Sequence, residues 1–346
     1  MSEGGRPGPR RRLLVRGVCA AGLLAIASGL SGCGGRQSIL APRSQQTHVI
    51  SVLWWWMLGA ASVVFFGAVG LLALGYLRRR SSGLPVLGER EGVVNAIVIA
   101  FGIVIPLIVL VTLFGASDIY AIRFSAAPKS GSTRMTVQVI GRQWWWEVRY
   151  PATGAVTANE LHIPAGTRVQ LVATTADVIH SLWVPRLARK IDMIPGRENR
   201  ILLETPDVGT YLGQCSEFCG LQHAHMRLTV IAEPPGAFNS WLAAATRPSP
   251  ATGGAAAGEG RALFMARGCG GCHQLRGSEA RGTIGPDLTH LGSRSTLAAV
   301  SIPNTPAELA AWIRDPQAIK PGNHMPDLGL SGGESQKVAA FLEALK

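Results

Sequence analysis

Hydrophobic and polar positions follow three rules in turn along this chain of 346 residues. Residues 50–77 are nearly free of charge, with Trp54-Trp55-Trp56 near their start and Arg78-Arg79-Arg80 at their end. Residues 93–114 form a second apolar run. About 20 helical residues suffice to cross a bilayer, so the two runs predict membrane spans at about 50–77 and 93–114. A tryptophan cluster at one end of a span suits the membrane–water interface. Pro106 predicts a kink, which a spanning helix tolerates. The short loop 78–92 holds Arg78, Arg79, Arg80 and Arg90 against Glu89 and Glu91. The positive-inside rule places it in the cytoplasm and both outer ends outside.

From 135 to 232 the rule becomes alternation. Stretches 135–140, 161–163, 168–172 and 227–231 read as short strands, punctuated by turns such as Pro164-Ala165-Gly166 and Pro195-Gly196. Several short strands at such spacing predict a β-sandwich or barrel, closed by Pro234-Pro235. Residues 246–258 have the composition of a flexible linker. Beyond it the helical period takes over, at 259–266, 306–314 and 335–345. Val338, Phe341, Leu342 and Leu345 form one face of the last of these. The expected architecture is multidomain: a two-helix transmembrane hairpin, an all-β domain and an all-α domain.

Composition supports the hairpin. Hydrophobic residues make up 47% of the chain and charged ones 16%, too apolar a balance for a plain soluble protein. The formal charge of +12 raises the question of nucleic acid, and its distribution answers it. Arg6, Arg10, Arg11, Arg12 and Arg16 stand against Glu3 in residues 1–32, and residues 258–346 are nearly balanced. With no basic stripe interleaved with aromatics outside that leader, a nucleic-acid partner is not expected.

The six cysteines divide by chemistry. Cys215 and Cys219 open the run Cys215-Ser216-Glu217-Phe218-Cys219-Gly220-Leu221-Gln222-His223-Ala224-His225-Met226, and His180 lies 35 residues upstream. His180, Cys215, Cys219, His223 and Met226 form a soft donor set that selects copper, with two thiolates bridging two ions and one imidazole finishing each. The Glu217 carbonyl is expected to point inward between the cysteines, leaving its carboxylate for a neighbouring hard cation. A zinc site rarely uses Met, and a redox dithiol usually has Cys-x-x-Cys spacing. Cys269-Gly270-Gly271-Cys272-His273 is a haem-attachment run. Cys33 follows a basic segment, an apolar stretch and Leu30-Ser31-Gly32. This resembles a bacterial lipoprotein signal with Cys33 the lipidated first residue; an ordinary signal peptide or an uncleaved span is the alternative.

The segment from Tyr211 to Met226 resembles the Cu-A motif of cytochrome c oxidase subunit II. So does its setting: two spans, then a cupredoxin-like domain opened by Gly141-Arg142-Gln143-Trp144-Trp145-Trp146, with Lys190-Ile191-Asp192-Met193-Ile194-Pro195-Gly196-Arg197 between His180 and Cys215. The resemblance covers roughly 45–233. It implies that Trp144 is the electron-accepting tryptophan and that Glu217 binds Mg²⁺ (or Mn²⁺) at the contact with subunit I. It further implies that Lys190, Asp192 and Arg197 line that contact; a packed aromatic and surface salt bridges are the plainer readings. Glu89 and Glu91 are the only acids near the cytoplasmic start of the second span, and neither is assigned to a proton path.

The C-terminal part resembles a class I cytochrome c domain. Cys269 and Cys272 would bind the haem vinyls and His273 the iron, with Gly285-Pro286-Asp287-Leu288 buttressing it. Asn323-His324-Met325-Pro326 resembles a distal loop with Met325 as sixth ligand; Met265, which precedes the attachment run, His324 and His290 are the competitors. A Met/His pair suits electron transfer. The fusion resembles a caa-type oxidase. The implied division is a leader at 1–32, the hairpin at 33–120, a Cu-A domain at 121–233, a linker at 234–257 and a cytochrome c domain at 258–346. The implied function is relay from haem c to Cu-A and on to haem a of subunit I for oxygen reduction, in a bacterial plasma membrane with both soluble domains on the outer face. Cytochrome c or a bc-type complex would be the donor. A Cu-A-bearing nitric oxide reductase subunit and a free-standing membrane electron carrier remain alternatives.

Overall fold

The structure, a computed structural model, describes residues 35–78, 91–122, 126–248 and 255–346. Cys33, with its leader, and Glu89 lie outside them. Helix α1, Gln45–Arg78, runs 34 residues, about 50 Å at 1.5 Å per residue. Helix α2, Glu91–Ile119, is the second candidate span, with mean hydropathy 3.1. Both expose their apolar side chains along their length, Trp56 and Phe66 of α1 and Phe101 and Leu110 of α2 among them, and both are long and apolar enough to cross a membrane. Pro106 does not end α2. A π turn, Ala100–Val104, sits just ahead of it. Widening the turn relieves the clash of the proline ring with the preceding carbonyls.

The head of α1 is fastened to the β domain. The Ser44 hydroxyl donates to the Leu187 carbonyl at 2.6 Å and Thr47 to that of Arg186 at 2.9 Å. Arg186 returns a bond to the Ala41 carbonyl. These pairings tie the head of α1 to the β domain.

That domain is a sandwich of two five-stranded sheets. One has the order β3 (Ala155–Ala158), β2 (Trp145–Tyr150), β1 (Met135–Arg142), β5 (Val169–Thr175), β8 (Asn199–Leu203). The other has β4 (Glu160–Pro164), β10 (Arg227–Glu233), β9 (Gly209–Cys215), β6 (His180–Trp183), β7 (Ile191–Met193). β1 pairs parallel with β5 from Met135↔Val169, and β10 parallel with β4 from Thr229↔Glu160. Val137, Val139, Trp146, Val148, Leu161, Ile163, Leu171 and Leu228 fill the space between the sheets, each stabilising the fold by about 1.5–3 kcal/mol through burial.

The first residues of the expected linker fold. Helix α3, Pro235–Ala245, packs Phe238 and Ala245 into the β core. Trp241 stacks on His162 at 3.8 Å and 10°. Pro235 at the first turn favours a helix start, since its missing N–H is not needed there.

The C-terminal domain gathers α4 (Ala255–Ala266), the short α5 (Cys269–Cys272), α6 (Pro306–Arg314), α7 (Pro316–Ile319) and α8 (Gly332–Glu343). Phe264 of α4 meets Phe341 of α8 edge-on at 5.8 Å. They cross this closely because Gly260 has no side chain: a Cβ there would lie 2.0 Å from the Lys337 carbonyl oxygen. Helix α8 begins three residues earlier than its apolar period suggests. Ser331 and Glu334 form a capping box ahead of it.

Candidate metal and haem sites

Two strands and one loop assemble the first site. β6 presents His180, β9 ends on Cys215, and the loop to β10 carries Cys219, the turn His223–His225 and Met226. The Cys215 and Cys219 sulfurs are 3.8 Å apart. His180 Nδ1 is 3.8 Å from Cys215 Sγ, His223 Nδ1 3.6 Å from Cys219 Sγ, and Met226 Sδ 3.8 Å from Cys219 Sγ. The Glu217 carbonyl lies 3.2 Å from Cys215 Sγ. One ion reaches both members of each such pair, since metal–thiolate and metal–imidazole bonds are about 2.3 and 2.0 Å. The donor atoms of His180, Cys215 and Cys219 all fall within 4.8 Å of one another, and all three residues are buried.

The protonation of the two thiols makes the same point. The hydrogen bond shared with Cys219 pulls Cys215 well below the usual thiol range, against its burial. Cys219 is pushed up, first by Cys215 and then by burial. Two thiolates this close need a cation between them, and this soft set of sulfur, imidazole and carbonyl donors fits copper.

Around these donors stand residues the sequence did not single out. Asp177 Oδ1 accepts from His180 Nε2 at 2.8 Å, and Oδ2 accepts the Gln143 amide at 2.7 Å. Burial disfavours the His180 imidazolium, but the bonds to Asp177 and Cys215 outweigh it and raise the pKa. Asp177 thereby fixes the tautomer that turns Nδ1 to the sulfurs. Gly141 makes room for this ring; a Cβ there would lie 2.7 Å from His180 Cδ2.

Trp144 is 7% exposed. Its indole N–H donates to the Cys219 carbonyl at 2.9 Å, and Gln143 Nε2 donates to the same oxygen at 2.8 Å. Gly220, at φ +111°, leaves space for the indole. The Glu217 carboxylate is exposed, beside Phe218, which is 76% exposed. Lys190 Nζ and Asp192 Oδ1 pair at 3.6 Å on the surface, and Asp192 also accepts from Ser181. The Arg197 carbonyl accepts from Thr174.

The second site is a cavity of about 360 Å³. Cys269, Cys272, His273 and Met325 all line it, among apolar walls that include Phe264, Leu309 and Leu342. His273 Nδ1–H donates to the Pro286 carbonyl at 2.8 Å. Burial holds the imidazole below its usual pKa and therefore neutral, which leaves Nε2 to ligate. Gly285 lies against this ring; a Cβ would sit 2.5 Å from His273 Cε1. On the other side, Asn323 Oδ1 accepts the Met325 amide and Gln317 donates to the Met325 carbonyl. A cavity of this lining, with two thiols and a preset imidazole, fits a covalently held haem. His290 is turned away, its Nε2 bonded to the Arg247 carbonyl. His324 packs its ring on Trp144 at 5.1 Å and 51°.

The cavity wall is completed from the β domain, by Gln143, Trp144, Trp145 and Asn159. The two sites therefore share Gln143 and Trp144: both line the haem cavity, and both donate to the Cys219 carbonyl. The sequence marked Trp144, but nothing local in it marked Asp177, Gln143 or Gln222 beyond their nearness to ligands.

The family described as "Cytochrome C oxidase subunit II, periplasmic domain" matches residues 155–233, and "Cytochrome c" matches 257–346. The chain is 31% identical to cytochrome c oxidase subunit 2 of Alkalihalophilus pseudofirmus over 92% of its own length and 94% of the relative's. It is 30% identical to cytochrome c oxidase subunit 2 of Bacillus subtilis, over 70% and 73%. A crystal structure of the periplasmic domain of subunit II of cytochrome oxidase from Bradyrhizobium japonicum aligns with 31% identity, 35% of this chain, 96% of that one and a TM-score of 0.33. With its β domain, its cytochrome c domain and its match along nearly the whole of a relative, the chain belongs to the cytochrome c oxidase subunit 2 family, as a fusion to cytochrome c.

Proposed function

We propose that this chain is subunit II of a caa-type oxidase and that it relays electrons from a haem c in its C-terminal domain to a dinuclear copper centre in its β domain. When bound, the haem and the copper pair supply one-electron centres; onward transfer goes to haem a of subunit I, where oxygen is reduced. His180, Cys215, Cys219, His223, Met226 and the Glu217 carbonyl would hold the copper pair. Cys269, Cys272, His273 and Met325 would hold the haem. The exposed Glu217 carboxylate would take Mg²⁺ or Mn²⁺ shared with subunit I, beside Lys190, Asp192 and Arg197. Subunit I and the other oxidase subunits are the expected partners, with cytochrome c or a bc-type complex as donor.

The observation that carries the reading is the shared tryptophan. Trp144 forms part of the haem cavity wall and donates to the carbonyl of Cys219, so no gap of solvent separates the two donor sets along this line. Asp177 and Pro286 hold His180 and His273 in the tautomers that ligation needs. The two apolar helices support a multi-pass plasma-membrane subunit, with leader 1–32 removed, Cys33 lipidated and both soluble domains outside. The domain division follows that of the sequence, with α3 added to the β domain. Replacing Trp144 with Ala should leave the haem and copper spectra in place and slow transfer between them. An unchanged transfer rate would refute the path.

A further inference from the structure

Lys320 is the only buried lysine among the described residues, 4% exposed; it stands in the wall of the haem cavity but is not among the ligands of either site. Its ammonium donates to three carbonyl oxygens: Trp144 at 2.8 Å, His225 at 3.0 Å and Ala298 at 3.3 Å. In its charged form the group has three donors, and here all three are satisfied, although burial pulls its pKa down to about 7. Removing such a charge from water is costly unless it is fully bonded. Two of the acceptors belong to the other domain. One is the backbone of the tryptophan between the two sites; the other lies in the turn between His223 and Met226.

The third acceptor belongs to an unusual turn. Ala298, Ala299 and Val300 have φ of 51°, 60° and 63° in succession, with no glycine. Left-handed backbone costs about 1–2 kcal/mol per residue for side chains of this kind, and it persists where surroundings over-determine it. Two carbonyls of this turn are bonded at the seam between the domains. That of Ala298 takes Lys320, and that of Ala299 takes the Arg227 amide at 3.3 Å. From the β domain, Gln222 Nε2 donates to the carbonyl of Pro321 at 2.6 Å. Within the haem domain the Lys320 carbonyl accepts from Asn323, whose Oδ1 holds the Met325 amide at 2.7 Å. A continuous set of bonds thus runs from the copper loop through Lys320 to the loop that presents Met325.

We propose that Lys320 is a latch that positions the haem-bearing domain on the copper domain, seating the Met325 loop against Trp144 so that transfer between the centres occurs within a docked unit and not by encounter on a flexible tether. This rests on the relay reading above and adds the residue that sets its geometry. Lys320 itself ligates nothing and touches neither iron nor copper ligands; it acts through Trp144, Ala298 and Asn323.

The test uses the intact oxidase complex and the variant Lys320→Leu, which removes the donors and adds no haem-ligating atom to the cavity wall. A photoactivated one-electron reductant is pulsed in, and haem oxidation and copper reduction are followed in time. The variant should take up the first electron on its haem as fast as the wild type, with both spectra unchanged. Onward transfer should slow by about tenfold or more, since small misplacements of paired groups carry large rate penalties. Oxidative labelling of the Trp144 indole, now shielded, should rise in the variant. In the wild type, onward transfer should not respond to viscosity or ionic strength, a measurement that holds even if the variant folds poorly. Wild-type transfer that slows with viscosity would overturn the latch. So would a variant that transfers at the wild-type rate with Trp144 equally shielded. If haem c in the wild type passes no electron to copper at all, the relay itself falls, and the latch with it.

Discussion

Asp177→Asn separates the copper ligands from the group that aims one of them. The carboxylate accepts from His180 Nε2 and from the amides of Val178 and Gln143, at 2.7–2.8 Å. The first two use Oδ1 and the third uses Oδ2. An amide of the same size has one acceptor oxygen. If that oxygen stays with His180, an NH₂ group faces the Gln143 N–H and that bond is lost. If it turns the other way, His180 loses its anchor. A hydrogen bond to a charged group contributes about 1.5–3 kcal/mol. That corresponds to about 10–150-fold in an equilibrium constant, and it agrees with the 10–100-fold loss of affinity usual when a partner of a ligating histidine is removed. Copper affinity should therefore fall by about 10–100-fold, read by competition with a chelator while the thiolate–copper absorption is followed. The haem spectrum should not change. The His180 pKa should drop towards its ordinary value, because Asp177 is the main group holding it up against burial. Copper affinity equal to that of the wild type would refute the argument that Asp177 sets the His180 ring.

Two further outcomes follow from the same geometry. Gly285→Ala puts a methyl 2.5 Å from His273 Cε1; displacing the ring should cost about 1–3 kcal/mol as overpacking and weaken the proximal ligand, seen as a loss of low-spin haem absorption with copper unaffected. Glu160 is buried and accepts the backbone N–H and hydroxyl of Ser295 from the haem domain, at 2.7 and 2.6 Å. Burial raises its pKa, but His162, Ser295 and Arg294 outweigh that and hold it below the usual value. Its contribution to docking is therefore complete above the ordinary carboxylate range and is lost as pH falls through the depressed value. Labelling of the Trp144 indole should rise in that acid window, and Glu160→Gln should already show the raised labelling at neutral pH. Labelling that does not change with acid would contradict this role.

What was legible in the sequence was local. The proposed copper ligands other than His180 lie within twelve residues, and the proposed haem attachment run is contiguous. The spans announce themselves by length, and the strands by alternation. What was not legible depends on segments far apart in the chain. The implied division gives 234–257 to a linker, yet α3 helix formation is settled by Phe238 and Ala245 reaching a core built from β strands. The left-handed turn at Ala298–Val300 carries none of the Gly or Asn residues that usually mark one. Lys320 looks like any surface lysine until Trp144, 176 positions earlier, is laid against it. The start of α8 was readable in principle, because Ser331 and Glu334 have capping-box spacing, but its apolar period begins later.

The central claim is that electrons enter on the haem domain and reach copper through Trp144. The most direct test removes residues 249–346 and compares oxygen uptake with the natural donor and with a small artificial reductant. The β core, including α3, lies before the cut, so the shortened subunit should keep its copper absorption. Trp144, shielded in the full chain, becomes accessible, and turnover with the artificial reductant should persist. Turnover with the natural donor should fall to a small fraction of that of the full-length enzyme. Natural-donor turnover unchanged by the deletion would contradict the relay from haem c to copper.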